Sequence, residues 1–244
     1  MKVSLITAVR NCAPFISCCI DSVDRQDHDN IEYIVIDGQS TDGTREILEA
    51  SRHRITILVS EKDDGYYPAL NRGIGLATGD IIGILNADDF LADKQVISTI
   101  VENFRRLSCD AVYGNLDYIN RYDQHKVVRK WRSGPLKRKA IQYGWMPPHP
   151  TIYFKREVYR RYGVYSESFG YCSDYELILR MFYKNEINAI FIDRLLVKMR
   201  MGGMSNNGLM QMMRGCLDDY RAVRLHDIPK PLLAVITKKL RKIE

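Results

Sequence analysis

Residues 81–90 read IIGILNADDF, and this stretch decides the fold. Five apolar or small residues lead straight into Asn86, Asp88 and Asp89. A buried strand that ends in adjacent carboxylates is costly unless a cation sits there, because buried charge is heavily penalised and is normally paired or metal-bound. In open α/β sheets, ligands bind just outside the carboxyl ends of the strands. The stretch therefore predicts a strand end that holds a divalent metal and, through it, a phosphorylated ligand.

Upstream of it, strands and helices alternate. Residues 2–8 form a short apolar run, followed by Asn11 as a helix cap and Pro14 in the first turn. Phe15, Ile16, Cys19, Ile20 and Val23 then recur at helical spacing. Residues 31–36 are a second strand ending at Asp37, and residues 40–43 are turn chemistry before a helix over 44–50. A third strand over 55–59, a helix over 68–76 and a strand over 80–85 complete the pattern. Such alternation implies βαβ units and a mostly parallel, Rossmann-like sheet flanked by helices. Asp37, one of Asp63 and Asp64, and the Asp88–Asp89 pair all follow strands closely. Parallel strands put those acids on one rim.

The second half is less regular. A helix over 93–107, a strand over 111–118, a non-helical loop over 144–150, a strand over 151–154, a helix over 173–183 and an apolar run over 189–197 are expected. The whole suits one α/β domain over 1–215, with a nucleotide-binding half (1–107) and an acceptor half (108–215), and a helical tail over 216–244.

Composition excludes several classes. The chain has 244 residues, 45% hydrophobic and 27% charged, as in an ordinary soluble domain. No signal-peptide pattern and no spanning run of about 18 apolar residues is present, so a cytoplasmic location is expected. The six cysteines show no paired spacing and the five histidines are scattered, which argues against zinc. A net charge of +6 is mild, and the basic residues over 126–139 read as a solvated surface rather than a phosphate-binding face, so no nucleic-acid partner is expected. GIGLATG over 73–79 stands after a helix and before a strand, the reverse of the dinucleotide fingerprint; its glycines are read as ending a helix and turning the chain. Leu232, Leu233, Ile236, Leu240 and Ile243 recur at helical spacing among Lys230, Lys238, Lys239, Arg241 and Lys242. Such a helix either packs on the domain or lies peripherally on the inner face of the cell membrane.

An ordered series of segments carries a resemblance: SLITAVRN, EYIVIDGQSTDGT, SEKDDGYYPALNRGIGLATGD, LNADD, HPTIYFKR, YCSDYELILR and MRMGGMSN. Over about residues 1–207 the chain resembles glycosyltransferase family 2, with the GT-A fold, and small bacterial transferases that build surface polysaccharides. That resemblance implies inverting transfer of a sugar from a nucleoside diphosphate donor, here a UDP sugar, to a saccharide or lipid-linked saccharide, assisted by Mn or Mg. LNADD resembles the family's DxD-type motif, with Asn86 in its first position and Asp88 and Asp89 as metal residues. Asp37 aligns with an acid that meets the nucleobase, Thr7, Ala8 and Arg10 with the strand end near the base, and Asp63 with nucleoside recognition. Asn71 and Arg72 fall in the next helix, where Arg72 meets either a phosphate or solvent. Asp174 corresponds to the catalytic base, although an Asp before an apolar helical run is also an ordinary N-cap. His149 and Trp145 lie in an acceptor-side loop, and Arg200, Gly202, Gly203 and Ser205 in a loop near the donor. A non-catalytic nucleotide-sugar-binding partner and a nucleotidyltransferase are the alternatives.

Overall fold

The computed structural model describes residues 1–202 and 209–241, without the side chains of 209–212; Gly203, Ser205, Lys242 and Ile243 lie outside the described residues. The expected alternation is present as β1 (Val3–Val9), α1 (Ala13–Asp24), β2 (Ile31–Asp37), α2 (Thr44–Ala50), β3 (Ile57–Ser60), α3 (Tyr66–Leu76) and β4 (Ile81–Ile84). These strands pair in parallel in the order β3-β2-β1-β4. β1 is buried along its whole length, as a strand covered on both faces must be. Its side chains alternate between two cores. Ile6 and Ala8 join Leu70 and Ile74 of α3, whereas Val3, Leu5 and Val9 join Ile16 and Ile20 of α1.

This order creates the crevice. The chain steps from β1 outward to β2 and β3, then returns to the other side of β1 as β4. The switch point lies at the carboxyl ends of β1 and β4, where open α/β sheets bind ligands.

Two local expectations differ. Asn11 does not cap α1: it adopts φ 53° and its Oδ1 accepts the Thr41 N–H. Cys12 takes the cap position without a side-chain bond, and Asp42 accepts the Ala13 N–H across the loop. Gly73 does not end a helix; it lies inside α3, where a Cβ would come 2.4 Å from Ile6 Cγ2. Its role is close helix–strand approach.

The second half adds β5 (Phe90–Leu91), α4 (Val96–Arg106), β6 (Ala111–Ile119), β7 (Val127–Trp131), α5 (Arg138–Ile141), β8 (Tyr153–Lys155), α6 (Arg156–Tyr162), α7 (Ser173–Ile178) and β9 (Ala189–Arg200). β8 runs antiparallel to both β4 and β6, so the sheet is parallel in its first half and mixed beyond it. β9 lies parallel to β6 and antiparallel to β5. β7, in the basic stretch read as plain surface, is an edge strand on β6 with Val127 and Val128 exposed. α7 continues as a π-helical turn over Leu179–Lys184. α8 (Leu209–Leu225) runs through the expected boundary at 215/216, and α9 (Pro231–Leu240) follows. Both are tied to the domain. His226 bonds the buried Glu176 of α7 at 2.9 Å, and Lys238 bonds the buried Asp219 at 2.5 Å.

Glu32 bolts β1, β2 and the α3–β4 turn together. Burial alone would raise its pKa, but Lys2, Ser4 and Thr78 donate to it and hold it at about 2. A carboxylate lowered from 4.5 to about 2 contributes about 3 kcal/mol of stability. That contribution is fully present above pH 4.5 and is lost as pH falls toward 2. In urea melts, Glu32→Gln should therefore cost about 3 kcal/mol at pH 7 and progressively less toward pH 3. A pH-independent difference would contradict this linkage.

Candidate active site

Two of the expected acids meet at the switch point. Asp88 and Asp89 follow β4, and β5 begins at the next residue. β5 pairs with the end of β9 (Phe90↔Lys198), which delivers Arg200 to the acids. The Arg200 N–H donates to Asp89 Oδ1 at 2.9 Å, and the Asn86 amide donates to Asp89 Oδ2 at 2.7 Å. Asp89 is thus fully engaged and only 1% exposed. Asp88 keeps 24% of its side chain open and faces the Arg121 guanidinium at 3.7 Å. Arg121 also donates to the carbonyl of Gly202, which has φ 91°. The Arg200 guanidinium sits over the Phe15 and Phe90 rings, and its Nη1 donates to the Arg121 carbonyl.

Both carboxyls are pushed up. For Asp89 the causes are burial and then the Asp88 charge; for Asp88 the cause is burial, opposed by Arg121 and Arg200. The Cys12 thiol, at the start of α1, is likewise pushed up to about 12 by burial and then by Asp88. Two crowded carboxylates of this kind fit a hard divalent cation. Among the described residues no cluster of three His, Cys, Asp or Glu could enclose a metal. One open carboxylate backed by a fixed one suits Mg or Mn, which retain open positions for phosphate oxygens and water.

Asp174 connects to them through Tyr66 and Tyr67, whose rings pack edge-on at 5.1 Å between centroids, with Tyr67 donating to the Tyr171 carbonyl three residues before Asp174. The Tyr66 hydroxyl donates to Asn86 Oδ1, and its own pKa is raised by burial and then by the charges of Asp89, Asp174 and Asp88. One phenol therefore feels the strand-end acids and the α7 acid together. Asp174 is not an N-cap: Cys172 holds that position, and the Asp174 carboxylate sits in the first turn of α7, accepting the Tyr175 N–H at 2.7 Å. Tyr67 lies against the Asp174 backbone and packs on Tyr165 at 5.4 Å between centroids. His149 bonds the Tyr165 hydroxyl at 2.6 Å. Burial pushes the His149 pKa down, and the Asp174 charge opposes that shift.

The remaining expected residues are spread over the rim, the core and the surface. Asp37 is fully buried, and its carboxylate accepts bonds from the Ser40 and Ser60 hydroxyls and the Ser40 N–H. These bonds brace the rim. Asp63 is the rim acid rather than the exposed Asp64: its Oδ2 would lie 2.2 Å from a Cβ on Gly38. The Thr7 hydroxyl is buried, donating to the Leu85 carbonyl, and Ala8 is core; of these three residues Arg10 alone is exposed. Asn71 exchanges two bonds with the Tyr165 backbone. Arg72 pairs with Glu61 at 2.6 Å on the surface. Trp145 packs edge-on against Tyr113 under its loop, with ring centroids 6.2 Å apart.

Tyr66 and Arg121 are the residues that sequence reading missed. Tyr66 follows Asp63-Asp64-Gly65 in the segment quoted above, so an aromatic beside the acids was its only signal. Arg121 lies in the β6–β7 turn and had none.

Comparison with known proteins gives the family and the fold. The family model described as Glycosyl transferase family 2 matches residues 4–170. A PGL/p-HBAD biosynthesis glycosyltransferase of Mycobacterium bovis is 26% identical over 208 residues, covering 83% of this chain and 78% of its own. Among solved structures, S. aureus TarS 1-349 in complex with UDP-GlcNAc superposes with a TM-score of 0.70 at 16% identity, covering 96% of this chain and 69% of that one. Against a longer TarS chain, the match spans 39% of its length. The mannosyltransferase PcManGT from Pyrobaculum calidifontis, in complex with GDP-Man and Mn2+, gives 0.65 at 21% identity, covering 98% of this chain and 68% of that one.

Proposed function

Because the chain belongs to glycosyl transferase family 2, we propose that it transfers a sugar, with inversion, from a metal-bound nucleoside diphosphate sugar to a saccharide or lipid-linked saccharide hydroxyl. The reading is carried by one observation: Tyr66, whose hydroxyl donates to Asn86 Oδ1, packs edge-on against Tyr67, which donates to the Tyr171 carbonyl three residues before Asp174. Acids for phosphate and metal thus share a cleft with an acid suited to proton abstraction.

Asp88 would hold Mn or Mg, with Asp89 fixing the loop through Arg200 and Asn86. The metal supplies Lewis-acid neutralisation of the charge that develops on the diphosphate. Arg121, beside Asp88, adds positive charge on the same side. Asp174 takes the proton of the acceptor hydroxyl as its oxygen bonds to the anomeric carbon. The bond from that carbon to the diphosphate oxygen breaks, and the nucleoside diphosphate carries off the electron pair. Attack on the face opposite the diphosphate inverts the anomeric centre. His149 and Tyr165 line the acceptor side. Two neighbours were solved with UDP-GlcNAc and with GDP-Man and Mn2+; a UDP sugar is the proposed donor here. Release of UDP from a UDP sugar with acceptor supports transfer; release of pyrophosphate would mark a nucleotidyltransferase, and no turnover a binding partner.

Nucleoside recognition falls to Asp63. Gly38 leaves the space its carboxylate occupies. Gly38→Ala should push Asp63 aside and weaken UDP binding by about tenfold, with little change in melting temperature, since Asp63 stands on a half-exposed loop. Unchanged affinity in a calorimetric titration would remove Asp63 from the nucleotide site.

A further inference from the structure

α9 is amphipathic, and packing uses only one of its faces. Ala234 and Val235 are buried, and the Lys238 ammonium lies 3.6 Å from the Tyr175 ring centroid beside Asp219. The outer face presents Leu232, Ile236 and Leu240, which are 67%, 56% and 57% exposed. At steps of four residues they form one line. No acidic residue occurs in Pro231–Leu240, and exposed Lys230 and Arg241 stand at its two ends. The basic strand β7 meets the same helix: Arg129 Nη2 donates to the Arg241 carbonyl at 2.9 Å, with exposed Lys126 and Lys130 flanking it. Among the described residues no helix is long and apolar enough to cross a membrane.

We propose that the outer face of α9, with the basic end of β7, docks on an anionic lipid bilayer. An apolar line framed by cations is what an interfacial helix requires: the apolar side chains enter the acyl boundary while the basic ones meet lipid phosphates. Charge selects this occupant over a second copy of the chain. A two-fold contact through α9 would press like-charged ends together, which is unfavourable.

The position gives the contact a consequence. The inner face of α9 rests on Gly144, where a Cβ would meet the Ala234 carbonyl and the Lys238 N at 2.5 Å each. Gly144 precedes Trp145 of the acceptor-side loop, and Tyr175 follows Asp174. The lipid surface would thus lie directly behind the acceptor side of the cleft. That consequence rests on the proposed transfer reaction, whereas the lipid contact does not.

Vesicle flotation separates the two. The full chain should float with phosphatidylcholine vesicles containing phosphatidylglycerol, not with phosphatidylcholine alone, and high salt should weaken the association. Replacing Leu232, Ile236 and Leu240 together by Gln should reduce flotation at least about tenfold. Lys230→Glu with Arg241→Glu should reduce it similarly. Melting temperature and UDP-sugar turnover with a water-soluble acceptor should not change, because these side chains are solvent-exposed. The proposal is overturned if the wild-type chain stays with the unbound fraction, if the triple variant floats equally well, or if light scattering shows that the triple substitution dissociates a dimer without any vesicle binding by the parent.

Discussion

Asp174→Asn should lower the rate of sugar transfer by about a thousandfold, within the usual range for a general base, while UDP affinity in the presence of Mn stays within about twofold. The asparagine keeps the shape of the carboxylate and can still accept the Tyr175 N–H. What it loses is the ability to take a proton. The fold should be spared, because the residue that caps α7 is Cys172 and because Glu176, two positions on, carries the buried bonds to Arg180 and His226. A structural role for Asp174 would show as a lower melting temperature and a proportionate loss of binding. The pattern expected here is a loss in kcat with binding preserved. An Asn variant that transfers at the parent rate would remove Asp174 from the chemistry.

Asp88→Asn should have the second largest effect, and its signs are opposite for function and stability. Burial raises the Asp88 carboxyl, so folding disfavours its ionised form. A group whose folded pKa is raised contributes stability below its unfolded value and loses it as pH rises through the folded value. At pH 8 and without metal, Asn should therefore leave the melting temperature unchanged or higher. With Mn, UDP affinity should fall by more than about tenfold, and the difference between measurements with and without Mn should disappear. Asp89→Asn should behave differently. It removes an acceptor for the Asn86 amide or the Arg200 N–H, so it should lower both stability and activity. If Asp88→Asn binds UDP as the parent does, with the same response to Mn, the metal assignment fails.

The first 90 residues were largely legible because β1, β2 and β4 are buried almost throughout and each is followed by turn chemistry. Predominantly apolar stretches marked β1, β2 and β4, and the acids after them needed only strand order to approach one rim. Side-chain direction was not legible. Asp37 and Asp63 look alike as acids after strands, yet one is sealed by Ser40 and Ser60 and the other stands over Gly38. An exposed helical arginine reads the same whether it awaits a phosphate or pairs with Glu61, as Arg72 does. β7 escaped because an exposed edge strand needs no apolar face. Arg121 and Tyr66 depended on contacts with Asp88 and Asn86 that only folding brings about.

Acids distant in sequence gathered around one cation and one activated sugar are what the whole account depends on. Diffraction from crystals soaked with UDP and Mn, with anomalous data collected near the Mn edge, tests this most directly. The expected map has one anomalous peak in contact with Asp88 and the diphosphate, with the diphosphate opening toward Asp174. A nucleotide bound elsewhere, or a Mn peak away from Asp88, would contradict it.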